Sequence, residues 1–257
     1  MTAAGPVRAG IPEHGRVPRY YAVKVRLLEL IEALGVGAIL PAERELAERF
    51  GVSRITLRQA VGELVLEGRL IRRQGSGTFV SPPKLVQRLS LASYAESMRR
   101  HGVEPGRSLI TTERVPADQG LAGDLGIEPE AGVLHLERVV TADGERVGLE
   151  SCYLPAERFP DLFARFDPAT SLYAFLSDQC GVVFAAAEER LETVLATPRE
   201  ALLIGTNPAL PMLLLHRVSY DADGRPIERV RSLYRGDRFS FATRLTAESA
   251  GEGDHPS

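Results

Sequence analysis

Residues 40–80 read LPAERELAERFGVSRITLRQAVGELVLEGRLIRRQGSGTFV, and this stretch decides the fold of the N-terminal part of the chain. Its apolar spacing predicts a helix over about residues 42–50 that buries Leu46, Ala47 and Phe50. Gly51 closes that helix, where a left-handed residue is wanted. Ser53 is a good N-cap for a second helix with the stripe Leu57, Ala60, Val61 and Leu64, ended by Gly68. The short turn at Gly51-Val52 leaves room only for an angled helix pair, the geometry of a helix-turn-helix.

Off the buried stripe, Ser53, Arg54, Thr56 and Arg58 crowd the first turn and a half of the second helix. The N-terminal residues of a recognition helix meet base edges, and Arg matches guanine O6 and N7. Leu70-Ile71-Arg72-Arg73, the turn Gln74-Gly75-Ser76-Gly77, and Thr78-Phe79-Val80 then read as a two-stranded wing. Its glycines let the backbone approach phosphate or a minor groove. Arginines that merely solvate a helix face are the bland alternative, and the wing argues against it.

These residues resemble the winged helix-turn-helix of GntR-family bacterial transcription regulators over about residues 19–81. The carriers are Leu40-Pro41-Ala42-Glu43-Arg44, Ser53-Arg54-Ile55-Thr56-Leu57-Arg58 and Gln74-Gly75-Ser76-Gly77-Thr78-Phe79-Val80. The resemblance implies contacts to double-stranded DNA from Arg44, Ser53, Arg54, Thr56 and Arg58, and from the wing tip at Gln74, Gly75 and Gly77. It also implies a supporting first helix with Tyr21, Val25, Leu28 and Ile31 on one side.

Charge divides the chain. Residues 16–84 hold 12 Lys and Arg against 7 Asp and Glu, a net of +5, and residues 1–15 are neutral. With a total of −3, the remainder carries −8. A basic module on an acidic remainder fits one part that meets phosphates and one that does not. At 257 residues and 44% hydrophobic content, two modest domains are expected. No apolar run approaches a bilayer span and residues 1–15 lack a signal-peptide core, so a cytoplasmic protein without a membrane partner is expected. Cys152 and Cys180 sit in apolar sequence and read as reduced core residues. Five scattered histidines give no metal-ligand spacing, and no cofactor is expected.

Beyond the paired prolines of Ser81-Pro82-Pro83-Lys84, a semi-rigid spacer, lies a diverged internal repeat. Residues 125–138 overlay residues 204–217: helix end, Pro, apolar strand and Arg coincide. Each copy reaches a turn, Asp143-Gly144 or Asp223-Gly224, suited to a type I′ hairpin. Each returns through a strand with an early Glu, Glu150 or Glu228. Helix–strand–turn–strand written twice predicts an antiparallel sheet flanked by helices, an α+β fold.

The period of two puts Arg138 on a face with Leu134, Leu136 and Val140. Glu228 shares one with Val230, Ser232 and Tyr234, and Glu150 with Cys152 and Leu154, while Arg229, Arg231 and Arg235 point the other way. Charges among apolar neighbours need partners. One reading is buried salt bridges, Arg138–Glu150 or Arg217–Glu228; the other is a cavity for a small polar ligand, and the two are compatible. Asp167-Pro168-Ala169-Thr170-Ser171-Leu172-Tyr173 opens a helix running to about Cys180. Its N-terminus is either an anion site or simply capped by Thr170 or Ser171.

Residues from about 87 to 245 look like the UTRA effector domain of the HutC branch of the GntR family. The landmarks are Leu91-Ala92-Ser93-Tyr94, Leu136-Glu137-Arg138, Glu150, Ser171-Leu172-Tyr173, and the segment from Asp223-Gly224-Arg225-Pro226-Ile227-Glu228 through Tyr234-Arg235-Gly236-Asp237-Arg238. The resemblance implies an effector site of Tyr94, Arg138, Glu150, Ser171, Tyr173, Glu228 and Tyr234. In relatives that sense amino-sugar phosphates, positions matching Arg138, Ser171 and Tyr173 face the phosphate, and those matching Glu150, Glu228 and Tyr234 the sugar. Two positions depart from that pattern: a second phosphate arginine is Val140 here, and a hydroxyl residue of the early helix is Ala95. Arg99, Arg190 and Arg217 are candidates to compensate.

The expected architecture is therefore a tail at 1–15, a winged helix-turn-helix at 16–81, a linker at 82–88, an antiparallel-sheet UTRA (chorismate lyase-like) domain at 89–245 for effector binding and dimerisation, and a tail at 246–257. The resemblance implies a regulator, most often a repressor in this branch. As a homodimer it would bind a palindromic operator under control of a small, polar, anionic effector such as a sugar phosphate. The alternative is a chorismate lyase-like enzyme domain fused to a DNA-binding module. Against it, the sequence shows no nucleophile–base pair, metal set or Gly-rich phosphate loop.

Overall fold

The computed structural model describes residues 18–73, 75–91, 94, 98–99 and 102–244. The two expected tails, Gln74 and Ala95 lie outside the described residues. The chain divides into two compact units that meet in sequence at Pro83 and Lys84.

In the first unit α1 (Arg19–Leu34), α2 (Glu43–Phe50) and α3 (Arg54–Leu66) precede a hairpin of β1 (Leu70–Arg73) and β2 (Gly77–Val80). Gly51 stands at φ 68° and closes α2. Ser53 caps α3, its side chain accepting from the Thr56 N–H at 3.1 Å. Leu57, Ala60, Val61 and Leu64 are buried as the stripe requires, against Leu46 and Ala47 of α2. The wing has a third member: Ile39 bridges Phe79, and the Leu40 N–H donates to the Thr78 carbonyl at 2.8 Å.

One expectation for α1 needs correction. Its buried face is Val23, Leu27 and Ile31, while Tyr21 and Val25 are 49% and 43% exposed. Val23, Leu27 and Ile31 pack into the core with Leu57, Ala60 and Leu64 of α3, and at its rim the Lys24 ammonium donates to Glu63 on α3 at 3.0 Å and also pairs with Glu67.

The second unit is one six-stranded antiparallel sheet in the order β4-β5-β6-β9-β8-β7. The strands are β4 (Pro105–Pro116), β5 (Gly132–Ala142), β6 (Glu145–Pro155), β7 (Phe184–Leu195), β8 (Pro211–Asp221) and β9 (Pro226–Arg235). The repeat is longer than the sequence suggested. Each half begins with an outer strand, β4 or β7, before its helix, α4 (Gln119–Leu125) or α7 (Pro198–Ile204). Asp118 caps α4, and a Thr197–Glu200 capping box starts α7. These helices pack one sheet face: Leu121, Ala122 and Leu125 meet Val133, and Ala201 and Ile204 meet Val139, Met212 and Leu233. On the other face lie α5 (Leu162–Arg165) and α6 (Leu172–Cys180), over Leu134, Leu136, Cys152 and Leu154. A parallel pair, β3 (Leu85–Arg88) with β10 (Phe239–Ala242), completes the unit.

The two hairpins are unequal. Asp143 and Gly144 both have positive φ, as a type I′ turn requires, but Asp223 does not. The second turn is longer: Tyr220 pairs with Pro226, and the Asp221 N–H donates to the Arg225 carbonyl at 3.0 Å. Cys152 is buried, whereas Cys180 is exposed, against expectation. After Cys180 the chain reverses at Gly181, φ 67°, and Val182 takes the buried place under α6. Among the described residues no helix is long and apolar enough to cross a membrane.

Leu57 is fully buried between the helices of the first unit. Leu57→Ala should cost that unit about 2–5 kcal/mol. Amide hydrogen exchange should show α1–α3 losing protection while β5, β6, β8 and β9 keep theirs.

Candidate DNA-binding surface and effector pocket

On the first unit, Arg54 opens α3, with Ser53 and Arg58 exposed and Thr56 half-buried around it. The Ser53 hydroxyl also meets the Thr56 hydroxyl at 2.8 Å, so the two act together as cap and polar surface. Arg58 is not free. Its Nε donates to Glu43 Oε2 at 3.1 Å, and Arg72 of the wing approaches the other Glu43 oxygen at 3.5 Å. Glu43 thus orients one arginine from α3 and one from β1, a role that helical periodicity cannot reveal. Arg44 is exposed and lies 3.9 Å from Glu48, one turn on. Gly75 and Gly77 have φ of 72° and 116°, conformations that a side chain would strain.

On the second unit Tyr94, Arg138, Glu150, Ser171, Tyr173, Glu228 and Tyr234 line one cavity. A wider cleft beside α5 and α6 holds Arg158, but Arg158 is already bound to Asp221 at 2.6 Å and to the Pro226 carbonyl.

Arg138 and Glu150 stand directly opposite across β5 and β6, and their side chains pair. Arg138 is 1% exposed, and its NH1 also donates to the carbonyls of Thr170 (3.1 Å) and Pro168 (3.3 Å) ahead of α6. Burial alone would push Glu150 up; the Arg138 and Arg107 guanidiniums reverse this and hold it at about 2. The salt bridge and the cavity are therefore one object.

The second expected bridge does not form. In register, Glu228 faces Ser219, and Arg217 faces Val230. Arg217 pairs instead with Glu189, its neighbour on β7, and donates to the Tyr173 hydroxyl at 3.1 Å and the Ser90 carbonyl at 3.0 Å. The Ser219 hydroxyl donates to Glu228 Oε1 at 3.1 Å, and Glu228 Oε2 is buried without a hydrogen-bond partner among the described residues. Burial first, and the Glu150 charge after it, push the Glu228 carboxyl up. Tyr234 is buried, stacked on Tyr94 and tilted against Phe239. The Ser171 side chain caps α6 by accepting from the Ala174 N–H at 3.3 Å, which leaves its O–H to donate.

Sequence reasoning missed Arg107. It lines the cavity from β4, with Nε 3.7 Å from Glu150 Oε1 and its guanidinium over the Tyr94 ring. The signal lay in strand pairing, since Arg107 stands opposite Val140. Arg229 and Arg231 do point to the opposite face, where they pair with Asp124 of α4 and Glu200 of α7. Arg235 is buried with Asp237 and Glu145.

Glu228 supplies a pH test. A carboxyl raised in the folded state contributes stability that is present below its unfolded value, near 4.5, and is lost as pH rises through the folded value. Glu228→Gln keeps the Ser219 partner and removes the buried charge. The variant should match wild type in acid and melt higher at pH 8, by about 1.4 kcal/mol per pH unit of the original displacement. Equal melting temperatures across pH 4–8 would contradict a raised carboxyl.

The description "Bacterial regulatory proteins, gntR family" matches residues 19–80, and "UTRA domain" matches residues 100–240. The chain is 43% identical over 235 residues to the HTH-type transcriptional repressor PhnF of Mycolicibacterium smegmatis, covering 91% of this chain and 96% of that protein. It is 36% identical over 235 residues to the HTH-type transcriptional repressor NagR of Bacillus subtilis, covering 90% and 96%. The crystal structure of the Mycolicibacterium smegmatis PhnF superposes with a TM-score of 0.66 at 45% identity, over 88% of this chain and 100% of that one. Winged helix, antiparallel α+β unit and these likenesses agree: the chain belongs to the GntR family of bacterial transcriptional regulators, as a HutC-type member with a UTRA domain.

Proposed function

We propose that this regulator is a repressor that binds a palindromic operator as a homodimer, and that a small, polar, anionic metabolite in the UTRA pocket controls that binding. Domain roles follow the division at Pro83 and Lys84: DNA before it, effector and dimer contact after it. The observation that carries the effector half is the convergence of seven residues, from three strands, one helix with its N-cap and the Tyr94 segment, on a single cavity. That the named relatives are repressors supports the sign of regulation.

On the DNA side, Arg54 and Arg58 read base edges while Arg44, Gly75 and Gly77 position the unit on phosphates. Arg54 has no partner among the described residues, whereas Arg58 is oriented by Glu43. Arg54→Ala should weaken specific operator binding by about 1–3 kcal/mol at fixed salt, with melting temperature unchanged. An unaltered mobility-shift titration would remove Arg54 from the recognition surface.

A single winged helix reads few base pairs, so selecting one site among many needs two half-sites. The outer strands β4 and β7 leave apolar side chains exposed, Leu109 and Ile110 on one and Leu191 and Leu195 on the other. Edges of this kind favour self-association. Light scattering of the full chain at micromolar concentration should give twice the 28.0 kDa chain mass, and a monomer that dimerises only on operator DNA would move the contact to the DNA complex.

A further inference from the structure

We propose that Arg107 is the second anion-binding guanidinium of the effector pocket, supplied from β4 in the place that a long side chain at Val140 would otherwise fill from β5. This rests on the pocket reading above and adds to it a residue and a ligand chemistry, a phosphate-type tetrahedral oxyanion headgroup.

The register makes the exchange of strands possible. Arg107 is the direct cross-strand partner of Val140 in the antiparallel β4–β5 pair, and opposite residues share a sheet face. Val140 in turn shares that face with Arg138, two residues earlier. A guanidinium rooted at 107 therefore enters the same side of the sheet, beside Arg138. Val140 is fully buried and short, which leaves the space to Arg107.

The bonding of the two arginines differs in a way that points to a ligand. Arg138 spends NH1 on two carbonyls and NH2 on Glu150. Arg107 makes no hydrogen bond to a described residue. Its side chain is 6% exposed, it approaches Glu150 only at 3.7 Å, and its Nε is buried without a partner. Burying a guanidinium without hydrogen bonds is costly unless an acceptor arrives. Tyr94 supports the guanidinium plane from one side, 5.4 Å from the ring centroid, and leaves its N–H edge for an acceptor.

Charge selects the ligand. Arg107 and Arg138 face one carboxylate, Glu150, while Arg217 is matched by Glu189. The Glu228 carboxyl sits in the same wall, and Arg88 adds a further positive charge at the lining. The excess is positive. The α6 N-terminus, with Ser171 and Tyr173, opens onto the same cavity and offers more donors. Two guanidiniums plus helix-end donors suit a headgroup with three terminal oxygens better than a carboxylate with two.

The test uses the full-length chain and three probes, glucosamine 6-phosphate, glucosamine and inorganic phosphate, titrated calorimetrically. Wild type should bind glucosamine 6-phosphate most tightly. Arg107→Ala should weaken it by about tenfold or more, with melting temperature held within about 2 °C and DNA binding unchanged. In the double variant Arg107→Ala/Val140→Arg, which returns the guanidinium from β5, most of the lost affinity should come back. Unchanged binding by Arg107→Ala overturns the proposal, as does failure of the double variant to recover affinity while its melting temperature stays near wild type. If either variant unfolds, Arg107→Gln is read instead, by the same criteria. Arg138→Gln separates the two levels of inference: if it abolishes binding while Arg107→Ala does not, only the role of Arg107 falls. If neither matters, or if wild type prefers glucosamine to its phosphate, the pocket reading falls with it.

Discussion

The pairing of Arg138 with Glu150 is the constraint on which the second unit depends. Two full charges are placed near the middle of a sheet, between apolar neighbours on each strand, where an unpaired ion costs several kcal/mol. Coulomb attraction alone seldom repays that desolvation; the added hydrogen bonds from Arg138 to Thr170 and Pro168 help to offset it. The pair fixes more than a local contact. It sets the β5–β6 register, since a one-residue slip would send either charge to the α4–α7 face. It also anchors the chain leading into α6, which places Ser171 and Tyr173 at the cavity. A well-packed apolar pair of similar volume would hold the sheet as firmly, but it would leave the cavity without its charges.

Continuity of the chain gives the pocket wall a second character. Gln87, Arg88 and Leu89, a few residues beyond Pro82-Pro83, belong to the lining, and β3 is held by its parallel partner β10, by the Lys84 ammonium on the Gly236 carbonyl and by Leu85 packed against the Tyr234–Phe239 cluster. A two-stranded parallel pair has little stability of its own. The stretch that leaves the DNA-binding unit therefore depends on the contents and packing of the cavity more than the six-stranded sheet does.

Much of this was legible because it is local. Gly51, Ser53 and the Leu57–Leu64 stripe specify cap, turn and buried face within one or two turns of chain, and each is found as read. The face of α1 was not, because it is set by packing of Val23, Leu27 and Ile31 against α3, a helix distant in sequence. The strands β4 and β7 escaped notice since edge strands with mostly exposed side chains lack a clean alternation. In the pocket, Arg138 and Glu150 could be read from the period of two within their own strands. Arg107 could not, because its place follows from pairing between strands that the sequence does not state.

The unequal hairpins show how a duplicated unit acquires two chemistries. In the first half a two-residue turn sets Arg138 against Glu150, and the carboxyl is held well below its ordinary range. In the second half the Glu comes one residue earlier relative to its Arg and the turn is longer, so Arg217 faces Val230 and Glu228 faces Ser219. Arg217, released from that pairing, is taken up by Glu189 and Tyr173. The displaced carboxyl is fully buried beside the Ser219 and Tyr173 hydroxyls, and burial pushes it up rather than down. One wall of the cavity is thus a fixed ion pair and the other a carboxyl that can be protonated and donate a hydrogen bond.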